Sequence, residues 1–242
     1  MTFHGSRSEI QLWFRHLDAA PDEIARLSPF LSIDEAARAA RFRFDVHRLR
    51  YIAGRGYLRE ILAAYLNVGP ESLSFDYNSF GKPALAGADL RFNLSHTGSI
   101  AVYAVTLGRE AGVDIEKIEP RFAEERIPES YFSALEVQAL RSLPVELQAE
   151  AFFLCWTRKE AYIKARAEGL SIPLDSFAVN LHPGEPPRFL WNGEGWSIAS
   201  FRLEPGYAGA IVAEGGDWTW RVADAGDFVV RPETAAGRDP SA

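Results

Sequence analysis

The stretch from Phe152 to Leu170, FFLCWTRKEAYIKARAEGL, has the apolar spacing of a helix that packs on a core. At about 100° per residue, Phe152 and Trp156 fall on one face of that helix. Glu160 points toward the same face, and Lys164 lies one turn further along its edge, within reach of Glu160 at i, i+4. An ordinary ion pair on a helix, worth roughly 0.2–0.5 kcal/mol, would account for both charges. Other segments of the chain offer a second interpretation.

The chain has the order helix, then short strands, and it has this order twice. A capping box at Ser32 and Glu35 begins one helix, and a longer helix runs from about Asp45 to Leu66. Short segments rich in aromatic and β-branched residues follow, and the same order recurs after Gly112. We therefore predict an α+β fold of two similar lobes, each a small antiparallel sheet packed with a long helix.

The two lobes are predicted to divide near residues 108–112. Residues 1–110 would form the N-terminal lobe and residues 111–225 the C-terminal lobe. Residues 226–242 have the composition of a flexible tail. Ligand-binding groups are expected between the lobes. Because two similar halves can replace a two-subunit interface, we expect a monomer.

Composition limits the class of protein. The 242 residues are 47% hydrophobic and 24% charged, which suffices for a sizeable core. The single cysteine, Cys155, excludes an internal disulfide and fits a reducing compartment. No apolar run approaches the roughly 18 residues of a membrane span, and the N-terminus lacks the features of a signal peptide. These features predict a cytoplasmic protein that does not associate with a membrane.

Charge is distributed unevenly along the chain. The formal net charge of −7 argues against a nucleic-acid-binding protein. The segment from Arg38 to Arg59 nevertheless contains seven arginines and one acid, Asp45. Such a cluster suits a nucleotide-sized polyanion better than a duplex backbone, although a solvated helix face is the alternative.

The segment AGVDIEKIEP, residues 111–120, places two carboxylates on one face of a predicted strand. Asp114 and Glu116 would lie about 6.6 Å apart, and like charges at this spacing repel unless they are solvated or neutralised. With Glu160 they would offer three oxygen ligands, a set that suits Mg²⁺, or alternatively Mn²⁺, when phosphate oxygens and water complete the shell. A half-exposed alternating strand is the simpler interpretation. Zinc is not expected, because the five histidines show no ligand spacing.

Two further segments carry polar groups at strand ends. FNLSHTGSIAVYAV, residues 92–105, places Ser95 and His96 before a turn, and they point to opposite faces, which excludes a nucleophile and base pair. A hydrogen-bonded structural histidine is the default, but His96 and nearby backbone amides could also receive a phosphate. FGKPAL places Lys82 and Pro83 at the start of a strand, which by itself is an ordinary turn.

Taken in order, FGKPAL, FNLSHTGSIAVYAV, GVDIE and WTRKEAYIKA resemble the 4'-phosphopantetheinyl transferases. The likeness spans about residues 32–181 and is to the longer, single-chain type that activates nonribosomal peptide and polyketide synthases. It implies a holo-carrier-protein synthase type of transferase whose two lobes are related by a pseudo-twofold axis. In such an enzyme the N-terminal lobe, residues 1–110, would hold the adenine and 3'-phosphate side of coenzyme A, and the C-terminal lobe, residues 111–225, would carry the metal and catalytic motifs. Such an enzyme uses Mg²⁺ and binds coenzyme A as substrate between its lobes. It moves the phosphopantetheine arm to a serine of an apo acyl or peptidyl carrier protein.

The resemblance also implies roles for individual residues. Asp114, Glu116 and Glu160 fall on the metal-binding acids of the family, and Glu160 also on the acid proposed as the base for the carrier serine. Lys164 falls on the lysine that contacts the pyrophosphate. His96 and Arg50 match contacts to the 3'-phosphate. The full set of implied coenzyme A contacts is Arg38, Arg50, Lys82, Pro83, Ser95, His96 and Lys164.

The resemblance is least complete near the N-terminus. The family often has a basic residue where this chain has Glu35 and a small hydroxyl where it has Tyr51, so Arg41 or Arg55 are candidates to compensate. The segment YFSALE, residues 131–136, resembles the segment that docks the carrier protein.

Two other classes of function use the same residues. A Mg²⁺-dependent phosphodiesterase or nucleotide hydrolase would employ the carboxylates with water as acceptor. A non-catalytic module would only bind carrier proteins or coenzyme A, and the intact set of acids with Lys164 argues against it.

Overall fold

The computed structural model describes residues 6–124 and 126–233. Its helices are α1 (Pro21–Leu27), α2 (Ile33–Ala39), α3 (Asp45–Leu66), α4 (Arg121–Glu124), α5 (Ile127–Tyr131), α6 (Ala134–Ser142) and α7 (Val145–Arg166). Its strands are β1 (Glu9–His16), β2 (Phe75–Tyr77), β3 (Pro83–Leu85), β4 (Leu90–Thr97), β5 (Ile100–Leu107), β6 (Ala111–Lys117), β7 (Ala178–Val179), β8 (Phe189–Trp191), β9 (Trp196–Glu204), β10 (Tyr207–Glu214), β11 (Thr219–Asp224) and β12 (Val229–Pro232).

Two four-stranded sheets organise the molecule. Their strand orders are β11-β1-β5-β4 and β12-β9-β10-β6, with antiparallel neighbours except for β1 and β11. Each half contributes a first strand, then a 22-residue helix, then a small strand pair and a hairpin. Both long helices end at a residue in the left-handed region, Asn67 with φ 56° and Ala167 with φ 59°. The predicted α+β fold with two similar lobes is confirmed.

The core consists of three apolar clusters separated by the two sheets. Helix α3 covers the outer face of the first sheet and α7 covers the outer face of the second. The inner faces pack on each other, with the rings of Phe14 and Phe201 5.7 Å apart. Alternate residues of β5 serve different clusters, because side chains alternate along a strand: Tyr103 faces α3, whereas Val102 faces the second sheet. None of the described helices is long and apolar enough to cross a bilayer.

Strands β4 and β6 meet where the two lobes join. The backbone N–H of Val113 donates to the Asn93 side-chain oxygen at 2.8 Å, which ties β6 to β4. Helix α7 packs directly on β6 at Gly112, where a Cβ would stand 2.1 Å from the Ala161 carbonyl oxygen. Glycine is therefore required at this position, because only its bare backbone allows the helix to lie so close to the strand.

The C-terminal segment differs from its prediction. Strand β11 lies within the predicted second lobe, yet it pairs with β1 of the first sheet. The prediction of a flexible tail from residue 226 is wrong for Val229–Pro232, which pairs with β9, and for Glu233, which accepts from the buried Arg158 at 3.0 Å. Polar composition hid this segment because an edge strand needs few buried side chains. Residues 234–242 lie outside the described residues.

Candidate active site

A cleft of about 440 Å³ lies between β4, β6 and α7. It brings together six of the residues that the sequence predicted for the site, three carboxylates among them. Strand β4 contributes two polar residues, β6 two acids, and α7 an acid and a lysine. The lining residues are Leu94, Ser95, His96, Asp114, Glu116, Trp156, Glu160 and Lys164.

Asp114 is the centre of the hydrogen bonding in this cleft. Its side chain is 3% exposed, and its Oδ1 accepts from Lys164 Nζ at 2.6 Å and from Ser95 Oγ at 2.7 Å. Lys164 Nζ also donates to Ser95 Oγ at 2.9 Å. Oδ2 of Asp114 is buried and has no hydrogen-bond partner among the described residues. Lys164 thus pairs with Asp114 and, within those residues, not with Glu160 on its own helix.

Among residues 6–124 and 126–233, the other two carboxylates have no ammonium or guanidinium partner. Burial, followed by the neighbouring charge of Asp114, raises the pKa of Glu116 to about 7, while a hydrogen bond from Thr97 acts in the opposite direction. Burial and the charge of Asp114 also raise the pKa of Glu160. Three acids with one ammonium leave the cleft short of positive charge, so a bound cation would stabilise their ionised forms.

The donor set fits a hard divalent cation that is shared with a substrate. Within residues 6–124 and 126–233, no group of three His, Cys, Asp or Glu side chains is placed to hold a metal ion by itself. Mg²⁺ is commonly held by one or two carboxylates together with substrate phosphate oxygens and water, so a closed cluster is not required. The unpartnered Asp114 Oδ2 and the raised pKa values of Glu116 and Glu160 agree with such a site.

His96 lines this cleft and remains exposed to solvent. Partial desolvation in the cleft, with the nearby charges of Lys164 and Arg50, lowers its pKa. A neutral imidazole can donate one hydrogen bond to a phosphate oxygen without the cost of burying a further charge. Arg50 pairs with Asp18 at 2.6 Å and is partly exposed. Its guanidinium also lies close enough to His96 for its charge to lower the pKa of the imidazole.

A second compartment of about 230 Å³ continues from the first past Lys164. Lys82 and Pro83 line it, and Leu94 and Lys164 line both compartments. Lys82 Nζ donates to Glu110 Oε2 at 2.9 Å and to the Ala165 carbonyl oxygen at 3.3 Å. These bonds hold the loop before β3 against the end of α7. Lys82 and Pro83 are therefore contiguous with the carboxylate cleft.

The arginine cluster is mostly engaged within the protein. Glu35, in the place where a basic residue was expected, is buried and pairs with Arg59 at 2.6 Å and with Arg55. Arg55 is thus committed to the fold rather than free to bind a ligand. Arg38 lies over the Tyr51 ring at 5.4 Å and does not line the carboxylate cleft. The cluster therefore stabilises the packing of α2 on α3 as well as supplying positive charge.

The segment predicted to dock a carrier protein borders the cleft. Tyr131 and Leu135 are about half exposed, at 49% and 50%. The Tyr131 ring packs against Trp156, which lines the cleft, with ring centroids 5.9 Å apart. Ser133 and Glu136 form a capping box at the start of α6. An exposed apolar edge therefore lies beside the carboxylates.

Sequence reasoning missed the buried lysine of the WTRKE motif. Lys159 is fully buried and pairs with Glu136 at 2.8 Å, and its ammonium donates to the carbonyl oxygens of Leu174 and Phe177. The helical period does place Lys159 about 100° from Glu160, which points it away from the cleft. Its partners could not be identified, because Glu136 lies on a different helix.

Comparison with known proteins identifies the family of the chain. Residues 17–107 match the family model for the N-terminal region of 4'-phosphopantetheinyl transferase, and residues 110–212 match the model for the 4'-phosphopantetheinyl transferase superfamily. The chain is 40% identical over 214 residues to 4'-phosphopantetheinyl transferase HetI of Nostoc sp., covering 87% of this chain and 90% of that protein. It is 35% identical to psf-1 of Bacillus pumilus, covering 79% and 82% of the two chains. It is 30% identical to Sfp of Bacillus subtilis, covering 79% and 86%.

Proposed function

The chain belongs to the 4'-phosphopantetheinyl transferase superfamily, and we propose that the cleft between β4, β6 and α7 is where it transfers phosphopantetheine from coenzyme A to a carrier-protein serine. It is therefore an enzyme, a transferase. One observation carries the assignment of the cleft: Asp114, Glu116, Glu160 and Lys164, from strand β6 and helix α7, line it together with residues of β4 in the other lobe.

Coenzyme A would extend through both compartments. Lys164 lines each of them, which suits a group that contacts the pyrophosphate in the middle of the substrate. The compartment with Lys82 and Pro83 would receive the adenine side. His96, with Arg50 near it, would contact the 3'-phosphate, with Ser95 as a neighbouring nucleotide contact. Arg38 is the weakest member of this set, because it lies over Tyr51 outside the carboxylate cleft.

The reaction is an in-line displacement at the phosphorus that carries the pantetheine arm. The serine oxygen forms the new bond to phosphorus, the bond to the departing phosphate breaks, and adenosine 3',5'-bisphosphate leaves. The serine proton passes to Glu160, directly or through a water, and burial makes that carboxylate a stronger base. Lys164 stabilises the charge that develops on the leaving group.

Asp114, Glu116 and Glu160 would hold Mg²⁺, or Mn²⁺, with oxygens of the substrate. When bound, the cation supplies neutralisation of the pyrophosphate charge. Because a carboxylate that binds a metal is a weaker base, we favour proton transfer through a water that Glu160 orients.

The carrier protein would dock on the exposed edge formed by Tyr131 and Leu135, which places its serine near Trp156 and the carboxylates. An apo acyl or peptidyl carrier domain is the expected partner. Both lobes of one chain build the cleft, so we propose that the enzyme acts as a monomer. Its single cysteine is buried and free, in keeping with a cytoplasmic protein.

Intact-mass spectrometry of an apo carrier domain, incubated with the enzyme, coenzyme A and Mg²⁺, tests the proposal. We expect a mass gain of one phosphopantetheine, abolished by a chelator and absent from a carrier whose acceptor serine is alanine. Glu160→Gln should slow transfer about 100-fold or more, while the matched variant Glu146→Gln, exposed on the same helix, should not. Cleavage of coenzyme A with water as acceptor would instead identify a hydrolase. Binding without turnover would identify a non-catalytic module.

A further inference from the structure

The Lys164 ammonium supplies positive charge to the carboxylate that a divalent cation would also need. Its Nζ donates to Asp114 Oδ1 at 2.6 Å and to Ser95 Oγ at 2.9 Å, and Ser95 Oγ donates to the same carboxylate oxygen at 2.7 Å. Asp114 is buried, and its other oxygen has no hydrogen-bond partner among the described residues. The buried carboxylate is therefore neutralised from within the protein.

A divalent cation and this ammonium would compete for Asp114. Two positive charges on one buried carboxylate repel each other, and the repulsion is stronger in a cleft than in water. Glu116 and Glu160 line the same cleft but form no ion pair with the described residues, so Asp114 is the carboxylate that the ammonium neutralises. A metal ion that binds without coenzyme A must either displace the ammonium from Asp114 or bind beside it against their electrostatic repulsion.

The Lys164 side chain can also reach a second position. Its side chain is 28% exposed and lines both the carboxylate cleft and the compartment with Lys82. A lysine has a flexible four-carbon stem, so its ammonium can move between neighbouring acceptors. A pyrophosphate lying across the boundary of the two compartments would provide such an acceptor.

We propose that Lys164 is an internal counter-cation that occupies Asp114 in the free enzyme and moves to the substrate pyrophosphate when coenzyme A binds. The divalent cation then binds weakly alone and tightly with coenzyme A, because the substrate removes the competing ammonium. By linkage, the metal strengthens coenzyme A binding by the same factor. This inference rests on the proposed function in taking coenzyme A as the ligand that moves the lysine.

Titration of the protein with Mn²⁺ alone, followed by electron paramagnetic resonance of the free ion at pH 8, tests the competition. Lys164→Met, which removes the charge and keeps the length, should bind Mn²⁺ about tenfold more tightly than wild type, or better. Lys117→Met, an exposed lysine on the same strand as the acids, should stay within about threefold of wild type. Asp114→Asn in the Lys164→Met background should abolish the gain.

The second measurement repeats the titration with saturating coenzyme A. Wild type should gain more Mn²⁺ affinity from coenzyme A than Lys164→Met gains, since in the variant Asp114 is already free. Lys164→Gln provides a second neutral variant, and thermal unfolding establishes that each variant is folded. Mn²⁺ binding by both neutral variants that is no tighter than wild type would overturn the proposal, as would an equal gain from coenzyme A. Transfer to a carrier is measured separately. Tighter metal binding by the neutral variants, with no transfer by the wild-type enzyme, would contradict the proposed function alone. Transfer by the wild-type enzyme, with no tighter metal binding by the neutral variants, would contradict the counter-cation proposal alone.

Discussion

Gly112→Ala is expected to separate the strand that carries two acids from the helix that carries Glu160 and Lys164. The added Cβ would stand 2.1 Å from the Ala161 carbonyl oxygen and 2.4 Å from the Ala165 amide nitrogen, whereas real Cβ atoms essentially never come within 3.0 Å. Both atoms belong to the backbone of α7, so no side chain can move aside. Strand and helix must part by about 1 Å, a displacement that can lower a catalysed rate about 100-fold.

The same clash should reduce stability. Overpacking a core costs about 1–3 kcal/mol, and a clash between backbones falls at the upper end of that range or above it. Urea unfolding followed by tryptophan fluorescence gives the free energy of unfolding, and the carrier mass assay gives the rate. Gly54→Ala in α3 is the control, because its Cβ would meet Leu17 Cδ2 at 3.6 Å, an ordinary contact. That variant should keep its rate and gain up to about 1 kcal/mol from helix propensity.

Two results would refute this reasoning. A Gly112→Ala enzyme with wild-type stability and rate would show that β6 and α7 do not depend on their close approach. A loss of stability with an unchanged rate, measured under conditions where the variant is folded, would show that the separation of strand and helix does not reach the carboxylates.

Three further variants test other parts of the structure. His96→Ala should raise KM for coenzyme A about tenfold with a smaller change in kcat, and an unchanged KM would contradict the phosphate contact. Because burial raises the pKa of Glu116 from 4.5 to about 7, its protonated form stabilises the metal-free fold at low pH, and this contribution disappears as pH rises through 7. Between pH 5 and 8 the free energy of unfolding of the wild type should therefore fall by up to about 2 kcal/mol more than that of Glu116→Gln, after allowance for solvent screening. Parallel profiles of unfolding free energy against pH would argue against a raised pKa of Glu116. Lys159→Met should lower the free energy of unfolding by about 3–5 kcal/mol, because it leaves Glu136 buried without its ion-pair partner. Asp45→Asn, in an exposed ion pair, should lower it by less than about 1 kcal/mol. Similar losses in the two variants would contradict the distinction between buried and exposed pairs.

In the part of the chain that the structure describes, the strand of the second lobe carries a pair of acids that the equivalent strand of the first lobe lacks. Counted from the hairpin turns, Ala101 and Tyr103 of β5 correspond to Ala208 and Ala210 of β10. By that register, the strand partners that correspond to Glu116 and Asp114 are Arg15 and Trp13. Arg15 pairs with Asp224 of β11 at 2.9 Å. The equivalent position in the first lobe therefore has no acid pair, and the returning C-terminal strand supplies its counter-charge.

Local patterns predicted the fold class and offered the three carboxylates of the cleft as one possible set of metal ligands. Strand alternation places Asp114 and Glu116 on one face, helical periodicity places Glu160 near the apolar face of α7, and both depend only on nearby residues. Motif order then identified the family, which the comparison with known proteins confirms. The assignments of individual site residues remain predictions.

The ion-pair partner of Lys164 could be identified only from the tertiary structure. Their i, i+4 spacing allowed an ion pair, but Lys164 bonds instead to Asp114, fifty residues away in sequence. Which of two acids a lysine contacts depends on how α7 lies on β6, and Gly112 sets that distance. The course of β11 and β12 along opposite sheets was equally hidden, because pairing between distant strands depends on register and packing that no local pattern encodes.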